Sequence, residues 1–415
     1  MERKIKYQYT HFIYPFIVEE NKYDKYILKL MQDKKYKIYF FESEKDFELY
    51  SFFLPNIREN LFKSFNYNKI KKQELSKFKV ETQTAILAKD PCVVFEYDIA
   101  SDIQGKTQNK NGIFFNIQRI RVICFNTGIC FLDIKTNIEE TDNLSDVLNF
   151  NYKFREFNSD NFNLKDYENI KIQSDNFEDV KQFQDMICEI TGKNFLANDL
   201  GIDTDKFLIY SYVCVDQENW NDKLDFSNIE NEFYKFFNVL PSAYNFTINK
   251  DNKETEEVLS SFNYAKLGIN KLGVCLFTST YDLYNYTKLP IIYENEFLYM
   301  YILSLYQKIY LNKIENDMNH SKKFDKAMKA FIKFTKDLWI QEVTNDNFGE
   351  EIFRTYKQVA ETMDLYEKIK KKYDVIYKQK NIENNVKINK LLLVLLGASV
   401  ILNVLNFVAL MILRR

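Results

Sequence analysis

An α+β (α/β) domain, then a helical bundle with a long stalk helix, then one C-terminal transmembrane helix is the architecture the sequence predicts. Over the first ~290 residues β-rich runs alternate with helically spaced ones, as expected of a mixed α and β domain. From about Tyr293 the helical period persists. Residues 391–413 then run for 23 positions without a charge. At about 1.5 Å per residue such a helix spans the roughly 30 Å hydrocarbon core of a bilayer once. The chain divides accordingly into 1–290, an α/β domain; 291–390, the bundle and stalk; and 391–413, the membrane helix.

Within the first segment, Tyr7 to Val18, Tyr36 to Phe41, Cys92 to Ile99, Ile117 to Phe125, Ile129 to Ile134, Phe207 to Val215 and Val274 to Thr278 are the strand-like runs. They are rich in β-branched and aromatic residues, which fit a pleated, half-buried surface. Ile117 to Phe125 and Ile129 to Lys135 are joined by Asn126, Thr127 and Gly128. That is a three-residue hairpin loop with glycine where positive φ is needed. Asn143 or Asp142 is positioned to cap a helix through Leu144, Val147, Leu148 and Tyr152, since a short polar side chain can accept from the first free backbone N–H groups. Helical spacing returns over Ser174 to Met186 and over Phe226 to Val239.

Phe297 to Leu311 is apolar nearly all round, so its helix is expected to lie buried between others. Ser321 is placed to cap the next helix, whose stripe is Phe324, Met328, Phe331 and Leu338. Thr344 to Gly349 reads as a turn. Beyond Gly349 no proline or glycine occurs before Gly397, while Ile352, Tyr356, Val359, Met363, Tyr366, Tyr373 and Ile376 recur at helical spacing. One amphipathic helix is expected there; unbroken to the end of the membrane run it covers roughly 64 residues, or about 95 Å.

No secretory apolar region follows Met1 to His11. Lys372, Lys378, Lys380, Lys387 and Lys390 stand against Asp374 and Glu383 before the apolar run, which suits a cytoplasmic flank. The expected placement is single-pass in the cell membrane, tail-anchored, with the N-terminal domain cytoplasmic. Within the run, Leu392, Leu396, Ser399, Asn403, Asn406, Leu410 and Leu413 follow at spacings of four and three. These positions form one seam of a left-handed bundle, and amides on it favour other copies of the helix, or a pore, over lipid.

Lys and Arg total 57 against 59 Asp and Glu, a net charge of −2, so no direct nucleic-acid binding is expected. Six cysteines without a CxxC pair, mostly in apolar runs, read as reduced core residues. Two histidines leave little for a metal site. No nucleophile–base pair or paired acids are recognisable, so neither an enzyme nor a cofactor is expected.

Two stretches invite a ligand. Ala100 to Thr107 reads A-x-x-x-x-G-K-T, formally a phosphate loop, but Gln108 to Gly112 is a turn and not the start of a helix, so a surface hairpin loop is the better reading. Arg119, Arg121 and Arg155 are arginines in a chain that uses lysine far more. Arginine suits fixed contacts to phosphate or carboxylate, which makes these three the candidate ligand-binding residues; Arg119 and Arg121 pairing with local acids is the competing reading.

Asn384 and Asn385 precede a basic and then apolar run in Lys380 to Leu395. With that junction, and with its order of α/β domain, helical bundle and one very long helix entering the membrane, the chain resembles the CorA-type divalent-cation channels along its whole length. The family's Gly-Met-Asn motif and second membrane helix are not found in the sequence; the nearest segment is Asn403 to Phe407. Magnesium selectivity is therefore not carried over. CorA-like proteins lacking the motif occur as membrane effectors of type III CRISPR antiviral defence, and the resemblance then implies a cytosolic sensor of a nucleotide second messenger joined to a membrane part that disturbs the bilayer. The expected function is a ligand-gated, homo-oligomeric membrane effector or channel, with Ser399, Asn403 and Asn406 at the helix contact or pore. The alternatives are a divalent-cation (magnesium) transporter and a tail-anchored, non-conducting scaffold or receptor.

Overall fold

The computed structural model describes residues 3–40, 46–61, 69–98, 103–106, 113–139, 141–155, 171–173, 181–192, 206–223, 225–245, 257–320 and 322–413. Its strands are β1 (Ile5–Ile17), β2 (Tyr36–Ile38), β3 (Cys92–Tyr97), β4 (Ile103–Lys106), β5 (Phe114–Phe125), β6 (Ile129–Ile138), β7 (Lys171–Gln173), β8 (Lys181–Gln182), β9 (Leu208–Val215), β10 (Glu257–Leu259), β11 (Ala265–Asn270) and β12 (Gly273–Ser279). Its helices are α1 (Tyr23–Gln32), α2 (Phe47–Phe52), α3 (Pro55–Leu61), α4 (Lys69–Ser76), α5 (Val80–Leu87), α6 (Leu144–Phe154), α7 (Phe183–Thr191), α8 (Glu230–Phe237), α9 (Tyr284–Thr287), α10 (Leu289–Ile292), α11 (Leu298–Asn319), α12 (Phe324–Lys333), α13 (Asn347–Val359) and α14 (Thr362–Leu413).

The strands form one sheet in the order β10-β11-β12-β9-β1-β6-β5-β4-β7-β8, with β3 on β5 and β2 on β3. Its middle is antiparallel, β1 lying between β6 and β9; β9 and β12 run parallel. The expected hairpin is present, Cys124 facing Cys130, and Gly128 at φ 85° closes it. Gly273 has φ 151°, and a Cβ there would meet the Ile209 carbonyl oxygen at 1.8 Å. Only glycine lets β12 start this close to β9.

Both faces of the sheet are covered, so its central strands are buried over most of their length. Alternation along β1 sends Phe12, Tyr14 and Phe16 into a core shared with α1, α6 and α8. Tyr9 and Ile13 go to the other side, into a core shared with α11, α13 and the start of α14. Five of the six cysteines are buried in these cores, with no disulfide among the described residues. The segment 291–390 therefore packs its helices largely on the sheet: Leu298 to Leu311 is buried almost throughout, as its all-round apolarity requires. Three sheet tyrosines fasten the helical side. Tyr9 donates its hydroxyl to the Pro290 carbonyl at 2.7 Å, Tyr210 donates to that of Tyr293 at 2.6 Å, and Tyr212 donates to that of Asn285.

Asn143 caps α6 by accepting from the Ser145 N–H, and Asp346 caps α13 by accepting from the Gly349 N–H. Other boundaries differ from the sequence reading. Of Ser174 to Met186, residues 174–180 lie outside the described ones, Lys181–Gln182 is strand, and helix begins only at Phe183. Met186, Ile187 and Ile190, at spacings of one and three, are the residues α7 sends into the core. Within Phe226 to Val239 the helix is confined to Glu230–Phe237. Ser321 lies outside the described residues, and Lys323 precedes α12. Strands β10 and β11 are additions to the expected runs.

The unbroken helix expected after Gly349 is instead two. α13 stops at Val359, and Glu361 takes φ 55° before α14 begins. A left-handed residue ends a helix because its N–H and C=O leave the helical direction; glycine or asparagine usually fills that position, so apolar spacing alone did not reveal the break. α14 then runs for 52 residues, about 78 Å. Thr362, Leu365, Tyr366 and Ile369 are its buried residues, all in its first turns; Tyr373 still packs on Phe331, and Lys380 reaches Asp325 of α12 at 2.7 Å before the helix leaves the domain.

Candidate functional site

Arg119 and Arg121 are on the helix-covered face of β5, inside a buried charge network. Arg119 Nη2 is 2.8 Å from Glu294 Oε1, and Lys135 Nζ is 2.7 Å from Glu294 Oε2. His11 Nδ1 lies 2.7 Å from Asp133 Oδ1, with both side chains essentially inaccessible. Arg121 reaches Glu96 at 3.2 Å and covers the Tyr39 ring at 4.6 Å. Burial works against the charge on Glu294, but Arg119, His11 and Lys135 outweigh it and hold the carboxyl at about 2. Asp133 is likewise held below its ordinary value, burial opposing and His11, Arg119 and Arg121 prevailing. The pairs of Arg119 and Lys135 with Glu294 join the sheet to the turn Tyr293–Phe297, a π-helical step at the start of α11.

Arg155 is placed elsewhere. It follows α6, its carbonyl accepts from the Phe207 N–H at 2.9 Å, and it lines a cavity of about 320 Å³. That volume is at the lower end for small-molecule sites. Lys206 to Leu208 at the start of β9, Ile269 to Leu272 at the β11–β12 turn, Tyr301, Ser304, Leu305 and Lys308 on α11, and Tyr356, Val359, Ala360 and Glu361 at the end of α13 complete the wall. The Asn270 side chain sets the turn: its Oδ1 accepts from Leu272 N and Gly273 N, and its Nδ2 donates to the Phe237 carbonyl.

Among the described residues the lining carries four cations, Arg155, Lys206, Lys271 and Lys308, against one carboxylate, Glu361. Lys271 Nζ donates to Glu361 at 2.7 Å, which lowers the Glu361 carboxyl from its ordinary range. Burial pushes the Lys308 ammonium down; Glu361 counters this and Lys271 adds to it. Ser304 is buried, and its hydroxyl has no hydrogen-bond partner among the described residues. A cationic mouth over Phe207, Leu272, Tyr301 and Leu305 can hold an anion that has a flat or apolar body. Of this wall, sequence reasoning reached only Arg155; the lysines gave no signal because the chain is rich in them, and Ser304 gave none.

Of the stretch Ala100 to Thr107, Ile103–Lys106 is a strand paired to Phe114–Ile117, and the rest lies outside the described residues. Among the described residues no group of three or more His, Cys, Asp or Glu could hold a metal ion.

α14 is the one described helix long and apolar enough to cross a membrane, and none of its apolar window is buried. Ser399, Asn403 and Asn406 lie in this exposed part. Because the helix is continuous, their spacing of four and three keeps them on one side of it. No protein-family model, curated protein or solved structure matches this chain.

Proposed function

We propose that this protein is a single-pass, self-associating membrane effector of CorA-like layout. Its α/β domain takes up a nucleotide-type messenger, and α14 carries the response into the bilayer, as in the membrane effectors of type III CRISPR defence. The observation that supports this reading most is α14 itself: 52 residues in one helix, held to the domain by its N-terminal part as far as Lys380 and bare where it is apolar. A 23-residue apolar surface without a charge is costly in water and favourable in lipid. The cationic cavity lies at the α13–α14 junction, where a bound anion has mechanical access to the rod. Lys378, Lys380, Lys387 and Lys390 before the apolar run favour a cytoplasmic domain.

The full chain reconstituted in dye-loaded liposomes tests the proposal. Leakage that appears only with a cyclic or adenylated nucleotide is the expected result. Absence of leakage under every such nucleotide overturns it, and selective magnesium flux without a ligand would favour the transporter reading instead.

A further inference from the structure

We infer that the cavity at the α13–α14 junction binds the phosphate of a nucleotide, and that the phosphate acts by drawing Lys271 away from Glu361. The inference deepens the proposed function and rests on it only for the consequence in the membrane.

Three observations support the site. Lys308 makes no ion pair among the described residues although burial already disfavours its charge, so an entering anion supplies what the fold withholds. Ser304, one helical turn before Lys308 on α11 and 1% exposed, has a hydroxyl without a partner in the same wall. A phosphate oxygen can satisfy both, since lysine and a hydroxyl donate in common to such oxygens. Tyr301, Leu272 and Phe207 then offer an apolar wall suited to a base. Inorganic phosphate alone would leave that wall unused.

The coupling follows from Glu361. It is the only acidic group among the described residues of the lining, it is held at 2.7 Å by Lys271, and its φ of 55° makes the bend between the two helices. A side chain with a Cβ takes that conformation at a cost. A dianionic phosphate competes for Lys271 and places its own charge beside the Glu361 carboxylate. Both effects release Glu361, and with it the bend. Because α14 is about 78 Å long, a tilt of about 5° at the bend moves its far end by about 7 Å.

Titration calorimetry on the full chain in detergent, with ATP, AMP, inorganic pyrophosphate and adenosine as probes, tests the site without any flux. Binding of ATP or AMP is expected, with pyrophosphate weaker and adenosine undetectable. Lys308→Gln should weaken nucleotide binding at least tenfold, and Lys308→Arg should restore most of it. Glu361→Gln should tighten it several-fold, a gain that misfolding cannot produce. Absence of binding by all four probes overturns the inference, as does nucleotide affinity that is the same in the parent, Lys308→Gln and Glu361→Gln proteins. Binding that behaves as expected in a protein that never leaks would leave the site standing and sink the effector reading; nucleotide-gated leakage indifferent to both substitutions would do the reverse.

Discussion

At the scale of single residues, the buried charges make the sharpest expectations. Glu294 is shared by Arg119 and Lys135, and its side chain is 13% exposed. Removing one partner of such a group leaves the others buried and uncompensated, a loss of about 3–5 kcal/mol. Glu294→Gln should therefore lower the stability of the domain by about 3 kcal/mol in urea titrations. Its pH dependence has a definite sign. The folded carboxyl sits at about 2 against 4.5, so its contribution is complete above about pH 4.5 and is lost as pH falls toward 2. The Gln variant should lack that part of the acid limb. Lys357 gives a slope of the same sign at alkaline pH, from burial and not from pairing. Its ammonium donates to the Ile340 carbonyl at 2.8 Å and lies 4.2 Å from the Trp339 ring centre, but burial brings it down to about 8 from 10.5. Between those values the unfolded chain holds the extra proton, so stability rises with pH from about 8 to about 10.5. Lys357→Met, which keeps the contact with the indole, should flatten that rise.

At the scale of elements, α14 concentrates the questions. Its first turns are anchored by Leu365, Tyr366 and Ile369, and Trp339 stacks on Tyr366 with ring centres 4.2 Å apart. Tyr373 on Phe331 and Lys380 on Asp325 continue the contact; the apolar run beyond has only its own sequence to direct it. Ser399, Asn403 and Asn406 share one side with Leu392, Leu396, Leu410 and Leu413, and an amide in hydrocarbon gains from a partner on another helix. Asn403→Leu combined with Asn406→Leu should leave the protein in the membrane, the span being more apolar, while weakening its self-association in crosslinking. Individual amide contacts between membrane helices contribute about 0.6 kcal/mol on average, so a several-fold shift in the oligomer equilibrium is the scale to look for. Contacts through Val400, Ile401 or Phe407 instead would mean that another face forms the seam.

At the scale of the whole molecule, the domain and the apolar part of α14 are separable. No residue of the apolar window is buried in the chain's own fold, whereas the cavity draws on residues from 155 to 361. A protein ending at Asn389 should therefore be soluble without detergent, keep the thermal transition of the sheet domain and keep nucleotide binding. Aggregation of that shortened chain would show that residues beyond Asn389 contribute to the fold. The same reasoning makes the full chain the only form in which binding and leakage can be connected.

Features that depend on local order are legible in the chain alone: the long apolar run, the hairpin about Gly128, the Asn143 cap, and the burial of Leu298 to Leu311, each specified by neighbours within a few turns of chain. Boundaries shifted where a helix end was marked by Glu361 and not by glycine. Which polar residues meet is settled by packing between distant segments. Arg119 and Arg121 had the spacing of a ligand grip, yet their surroundings are carboxylates from β3 and the start of α11. Arg155 became the edge of a cavity because β9, the β11–β12 turn, α11 and α13 converge on it. Lys271, Lys308 and Ser304 carry no mark in a lysine-rich sequence, since their significance is the distance between segments far apart in the chain, and only the packing of the sheet against its helices sets that distance.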